Sequence, residues 1–217
     1  MDILDMRFRW PDDPNRISYE YLEELEKKYP GGFIAQVKWD GWRRPAYRMP
    51  GGWQYFSKRG TGDEAAKQPP DDLKAIFEGL DWPEGIAMDM EWIGPRAKEA
   101  LEARYGVGSG YHGFRIFDLL YMNGQWLGGM PFVDRLKNLE TIFALATKGK
   151  QIERVQVTPW QDKDLCAMFK RTCQDQLLEG IVLRRARSKL VGHPREATKN
   201  PQMFKVKYRD IKEPTLF

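Results

Sequence analysis

The stretch from Phe33 to Arg43, FIAQVKWDGWR, constrains the fold more than any other. Phe33, Ala35 and Val37 alternate with Ile34, Gln36 and Lys38, so a strand here shows one set to each side. Asp40-Gly41 reads as a sharp turn, and an extended pattern resumes from Trp42 to Tyr47. Lys38 is thereby left at a strand end beside a bend. A lysine in that place, with a carboxylate two residues on and an arginine five on, suits a nucleophile that attacks a phosphate. The amine needs partial desolvation to shed its proton, and the phosphate needs positive charge around it. Solvated charges flanking an ordinary hairpin turn give the same short pattern, so the rest of the chain has to decide.

Before this stretch, Ser18 can cap a helix over Tyr19–Lys28 that Pro30-Gly31-Gly32 stops, while Pro11 and Pro14 leave residues 1–17 irregular. After it, strands are expected over Trp42–Met49 and Trp53–Lys58, a helix from Pro70 to about Glu78, and a strand over Gly85–Trp92. A helix over Pro95–Tyr105, a glycine-rich loop and an apolar strand over Phe114–Tyr121 follow, closed by the turn signal Asn123-Gly124. Helices over Asp134–Ala146 and Lys163–Gln174 alternate with strands over Ile152–Val157, Gly180–Arg185 and Met203–Tyr208. The expected class is α+β, with mixed but mainly antiparallel sheets and flanking helices.

Charge separates the two ends of the chain. From Ile181 to Phe217 there are 10 Lys/Arg against 3 Asp/Glu, whereas residues 1–180 hold 25 against 28. The basic end suits a polyanion, and on charge alone it suits a solvated face equally. No apolar run has membrane-span length, and the N-terminus lacks a signal-peptide pattern. Cys166 and Cys173 have no metal-ligand spacing and read as reduced thiols in a cytoplasmic setting.

Four further stretches carry matching polarity. Asp89 and Glu91 share one face of a strand and suit a divalent cation or sugar hydroxyls. Phe117, before Asp118, can stack on a base or fill a core. Glu179-Gly180-Ile181-Val182-Leu183 places a carboxylate at the mouth of a buried strand. Lys205 and Lys207 share a face of the last strand, where like charges repel unless they share an anion.

In this order and spacing, the motifs resemble the covalent lysine nucleotidyltransferases, and within them the adenylation domain of ATP-dependent DNA ligases. Lys38-Trp39-Asp40-Gly41-Trp42-Arg43 resembles the family's first motif. Ser57-Lys58-Arg59-Gly60 is similar to the Ser-Arg-x-Gly element, with lysine at the arginine place. Asp89-Met90-Glu91 is similar to Asp-Gly-Glu, with methionine for glycine. Phe117 to Gly124, followed by Pro131 and Arg135, resembles DNA ligases in particular, and Glu179–Leu183 and Lys205-Val206-Lys207 resemble the last two motifs.

The resemblance implies an ATP-grasp-like DNA ligase nucleotidyltransferase fold and a reaction through lysyl-AMP. Lys38 would carry AMP from ATP, with Asp40, Lys205 and Lys207 in the catalytic set. Gln36, Arg43, Arg59, Glu91, Phe117 and Ile181 would hold the nucleotide, and Glu91 and Glu179 would hold Mg²⁺ or Mn²⁺. AMP would pass to the 5′-phosphate of nicked duplex DNA, met by Arg43 and Arg59, and the basic surplus of the C-terminal stretch adds Arg184, Arg185 and Arg187 as duplex contacts. Family ligases continue into an OB-fold. The expectation here is one nucleotidyltransferase domain over residues 1–217 with a core at about 30–209 and no OB-fold. It would be a monomer, either a naturally minimal enzyme or an excised domain, with a partner as one source left open for the DNA clamp, in a nucleoid or viral replication context. RNA ligation, GTP-dependent capping and non-catalytic nucleotide or DNA binding remain the alternatives.

Overall fold

The computed structural model describes residues 12–56, 68–94, 113–174, 178–191 and 199–208. Two mainly antiparallel sheets carry an α+β fold. The first sheet has the order β1 (Asp13–Arg16), β12 (Lys199–Lys207), β11 (Leu178–Arg185), β2 (Phe33–Trp39), β10 (Trp160–Gln161). Its alternation sends Phe33, Ala35, Ile181, Leu183 and Val206 to one face. There they pack against Leu22 and Leu25 of α1 (Tyr19–Lys28) and Leu165, Met168 and Phe169 of α4 (Leu165–Gln174). Each of these Val, Leu, Ile, Met and Phe side chains, when fully buried, contributes about 1.5–3 kcal/mol. Helix α1 begins where expected, because the Ser18 hydroxyl accepts from the Tyr21 N–H at 3.2 Å.

The second sheet has the order β5 (Gly52–Tyr55), β4 (Ala46–Met49), β6 (Ala87–Ile93), β7 (Gly113–Met122), β8 (Gln125–Trp126). Strand β3 (Trp42–Arg43) pairs with β6, and β9 (Val155–Val157) runs parallel to β7. Met88, Met90, Phe114, Ile116 and Leu119 form its core with α2 (Asp71–Glu78) and α3 (Phe132–Ala146), which supply Leu73, Phe77, Phe132, Leu136 and Leu139.

Three local expectations change. Residues 13–16 are not irregular: β1 pairs in parallel with β12, and Pro14 is accommodated because β1 is an edge strand with a bulge after Pro14. The Trp42–Met49 strand divides into β3 and β4 at Arg44-Pro45, where proline has no N–H for the ladder. Strand β10 is an addition of two residues, too short for any periodicity to register. The expected helix over 95–105 and the Ser57–Gly60 motif with Arg59 lie outside the described residues.

Candidate active site

Strands β2, β11 and β12 lie side by side and form the floor of a cavity of about 320 Å³. The ladder places Lys38 and Lys207 on either side of Gly180, and Gln36 and Lys205 on either side of Val182. Gln36, Lys38, Val182, Arg184, Met203, Lys205 and Lys207 all line the cavity. Strict alternation would put Glu179 beneath the sheet with Ile181 and Leu183. A bulge between Leu178 and Gly180, with Gly180 at φ +133°, turns the carboxylate into the cavity instead.

The opposing wall comes from the second sheet. Arg43, Glu91 and Phe117 project from β3, β6 and β7, while Asp13 and Pro14 close one side. The turn after Lys38 runs against β6: a Cβ on Gly41 would stand 2.5 Å from the Trp92 carbonyl oxygen. Only glycine lets the two backbones come this close. Gln36 bridges the sheets, its Nε2 donating to the Phe117 carbonyl at 3.1 Å.

Glu179 joins two of the lysines, forming an ion pair with Lys38 and another with Lys207 at 2.8 Å. Burial pushes its carboxyl up, but the two ammonium groups outweigh burial and hold it below the usual carboxylate range. For Glu91 burial wins. Despite the pull of Lys38 and Arg43, its carboxyl is pushed up to about 7, helped by the charges of Asp89 and Glu179. A raised acid favours the folded protein when neutral, so this contribution is lost as pH rises through about 7. Glu91→Gln is neutral throughout and should raise the melting temperature at alkaline pH while changing it little near the ordinary glutamate value of about 4.3. The gain should be on the order of 1–3 kcal/mol, or several degrees. Thermal melts across pH check it, and an equal shift at every pH would sink the assignment.

Two buried networks stand behind the wall. Asp89 accepts from Arg43 Nε at 2.9 Å and from its Nη2, and Arg43 also donates to the Asp12 carbonyl at 3.0 Å. Asp118 accepts from Arg135 Nε at 2.8 Å and Nη2 at 3.0 Å, and it also pairs with Arg184.

The cavity thus gathers Gln36, Lys38, Asp40, Arg43, Glu91, Phe117, Glu179, Arg184, Lys205 and Lys207. Several placements differ from expectation. Asp40 is exposed at the rim, and the carboxylate that meets Lys38 is Glu179. Asp89 is fully buried and occupied by Arg43, which removes it as a cation ligand. Ile181 is fully buried beneath the floor in the α1/α4 core, and Val182 lines the cavity in its stead. Arg184, expected on a DNA-facing surface with Arg185 and Arg187, is buried and ion-paired to Asp118. Arg185 lies over the Tyr29 and Phe33 rings on the helix-covered side, and Arg187 sits exposed on a turn. Asp13, Val182 and Met203 were missed as cavity residues. The alternation that pairs Val182 with Gln36 and Lys205 was the available signal for one of them.

Two mainly antiparallel sheets enclosing this lysine-lined cavity make the nucleotidyltransferase fold of DNA ligases. The sequence profile of the ATP dependent DNA ligase domain matches residues 16–207, and the chain belongs to that family. The ligase domain of M. tuberculosis LigD superposes with a TM-score of 0.57 at 21% identity, over 81% of this chain and 53% of its own. The bacteriophage T7 ATP-dependent DNA ligase in complex with ATP gives 0.55 at 12% identity, over 91% and 68%. The Chlorella virus DNA ligase-adenylate gives 0.53 at 14% identity, over 90% and 67%. The chain spans about half the length of the LigD ligase domain. No curated protein matches it. Among the described residues no helix is long and apolar enough to cross a membrane.

Proposed function

We propose that the chain forms a lysyl-AMP at Lys38 from ATP and passes the AMP to the 5′-phosphate of nicked duplex DNA for sealing. The observation that carries this reading is the convergence of Lys38, Lys205 and Lys207 on one cavity with Glu91 and Glu179. The Lys38 amine attacks the α-phosphorus, so an N–P bond forms while the bond from that phosphorus to the departing pyrophosphate oxygen breaks. Lys205 and Lys207 offset the charge that develops on the phosphoryl oxygens. The DNA 5′-phosphate then takes the AMP and frees Lys38. Attack of the neighbouring 3′-hydroxyl closes the strand and releases AMP.

The donor set fits a magnesium nucleotide. Magnesium typically takes one or two carboxylates and completes its shell with phosphate oxygens and water, and Glu91 and Glu179 face the phosphate end of the cavity beside Lys38. When bound, the cation would neutralise phosphate charge. At the other end, Phe117 offers a ring to the base. The bond from Gln36 Nε2 to the Phe117 carbonyl leaves its Oε1 as an acceptor, which suits an adenine amino group.

The test is incubation of the chain with α-labelled ATP or GTP and Mg²⁺, followed by a chase with nicked duplex. Label from ATP on the protein, then on the DNA, is expected. Label from GTP alone would favour capping chemistry, and no label on the protein would remove the covalent step.

A further inference from the structure

We infer that Arg184 is a positioning residue, held by the Asp118–Arg135 pair, that fixes the Phe117 ring as a ready-made stacking surface for the nucleotide base. This rests on the nucleotide reading above and deepens it. Phe117 lies at a bulge of β7, where Ile116 pairs with Met90 and Asp118 with Asp89, and both Ile116 and Leu119 on either side of the bulge pack into the core. The ring joins the cavity wall, and the carboxylate enters the protein, where it is fully buried. Arg184 reaches the same place from the floor strand β11. Its guanidinium carbon lies 4.5 Å from the Phe132 ring centre and 5.8 Å from that of Phe117. A group from one sheet is therefore clamped against the ring of the other by a carboxylate of that ring's own strand. Arg43, also 5.8 Å from the Phe117 centre, is held by Asp89, and Asp89 is the ladder partner of Asp118.

Charge balance does not require Arg184 there. Arg135 already engages both oxygens of Asp118 through Nε and Nη2, and the Leu119 N–H adds a third bond at 2.9 Å. Arg184 is a second cation on a single carboxylate, and its Nε finds no acceptor among the described residues. Burying such a charge is costly, which points to a task other than neutralising Asp118. Restraining a ring before the base arrives is such a task, because the ordering cost is then not charged to binding.

The experiment is a double-mutant cycle on ATP-dependent self-labelling, reading KM and kcat separately, with thermal melts as a fold control. Phe117→Ala should raise KM for ATP on the order of 10-fold, and Arg184→Ala should do nearly the same with kcat changed by less than about 2-fold. The double variant should be no worse than Phe117→Ala alone. Arg184→Met, which refills the space between Phe117 and Phe132, should recover much of the loss. Should Arg184→Ala fail to fold, Arg184→Lys keeps the charge without the flat guanidinium and should also raise KM. An unchanged KM in Phe117→Ala would remove the stacking reading itself, and this inference with it. A raised KM there, combined with no effect of the Arg184 variants or with additive losses, would overturn the inference alone. Additive losses would mean that Arg184 touches the nucleotide directly.

Discussion

Label from α-labelled ATP is expected to vanish from the protein when Lys38 becomes Ala, a loss of roughly three orders of magnitude or more. The substitution removes the proposed nucleophile and little else. Glu179 keeps Lys207 at 2.8 Å, so no carboxylate is left buried without a partner. The melting temperature should therefore stay within a few degrees of the parent. Lys38→Arg should fail as well, because a guanidinium stays protonated at any working pH. It nevertheless retains a cation opposite Glu179, so loss of labelling in a variant that preserves this ion pair separates nucleophilicity from charge. A folded Lys38→Ala protein that labels like the parent would place the covalent chemistry elsewhere.

Features that depend on local alternation were readable from the chain. Gln36 and Lys38 share a face because β2 is regular, and Lys205 and Lys207 share one because β12 is. Helix α1 was readable from Ser18 and the Pro30-Gly31-Gly32 stop. Features that depend on a break in alternation were not readable from periodicity. Glu179 was legible from its motif and its place at the mouth of a buried strand, whereas the bulge at Gly180 that turns it into the cavity was not. Long-range pairing was equally hidden: β1 is four residues long, contains a proline, and pairs with a strand at the other end of the chain. Arg184 was read from a count of charges, which says nothing about sides of a strand. Its burial follows from sharing the floor face with Val182, and its partner Asp118 lies on the other sheet. The Asp118–Arg135–Arg184 cluster draws on a strand, a helix and a second strand, so no single window of sequence contains it.

The second large effect is expected at Gly180, where the strand leaves its regular path. Gly180 has φ +133°, a region that side-chain-bearing residues avoid. An added Cβ would stand 2.0 Å from the Val206 carbonyl oxygen and 3.0 Å from the Lys207 Cα. These are backbone atoms of β12, held by the pairing of Gly180 with Lys207 and Ile181 with Val206, so they cannot yield without breaking the ladder that carries Lys205 and Lys207. Gly180→Ala should cost on the order of 3–5 kcal/mol, a fall in melting temperature of about 10 °C or more. Self-labelling should fall with it even at temperatures where the variant is folded, because Glu179 would no longer be turned toward Lys38. Gly31 supplies the control. It also has positive φ, +68°, but a Cβ there meets nothing within 4 Å. Gly31→Ala should thus show the conformational strain alone, about 1 kcal/mol, with labelling intact. Thermal melts and labelling rates of the two variants, measured together, separate backbone strain from collision with β12. If Gly180→Ala melts and labels like Gly31→Ala, the bulge is not what places Glu179.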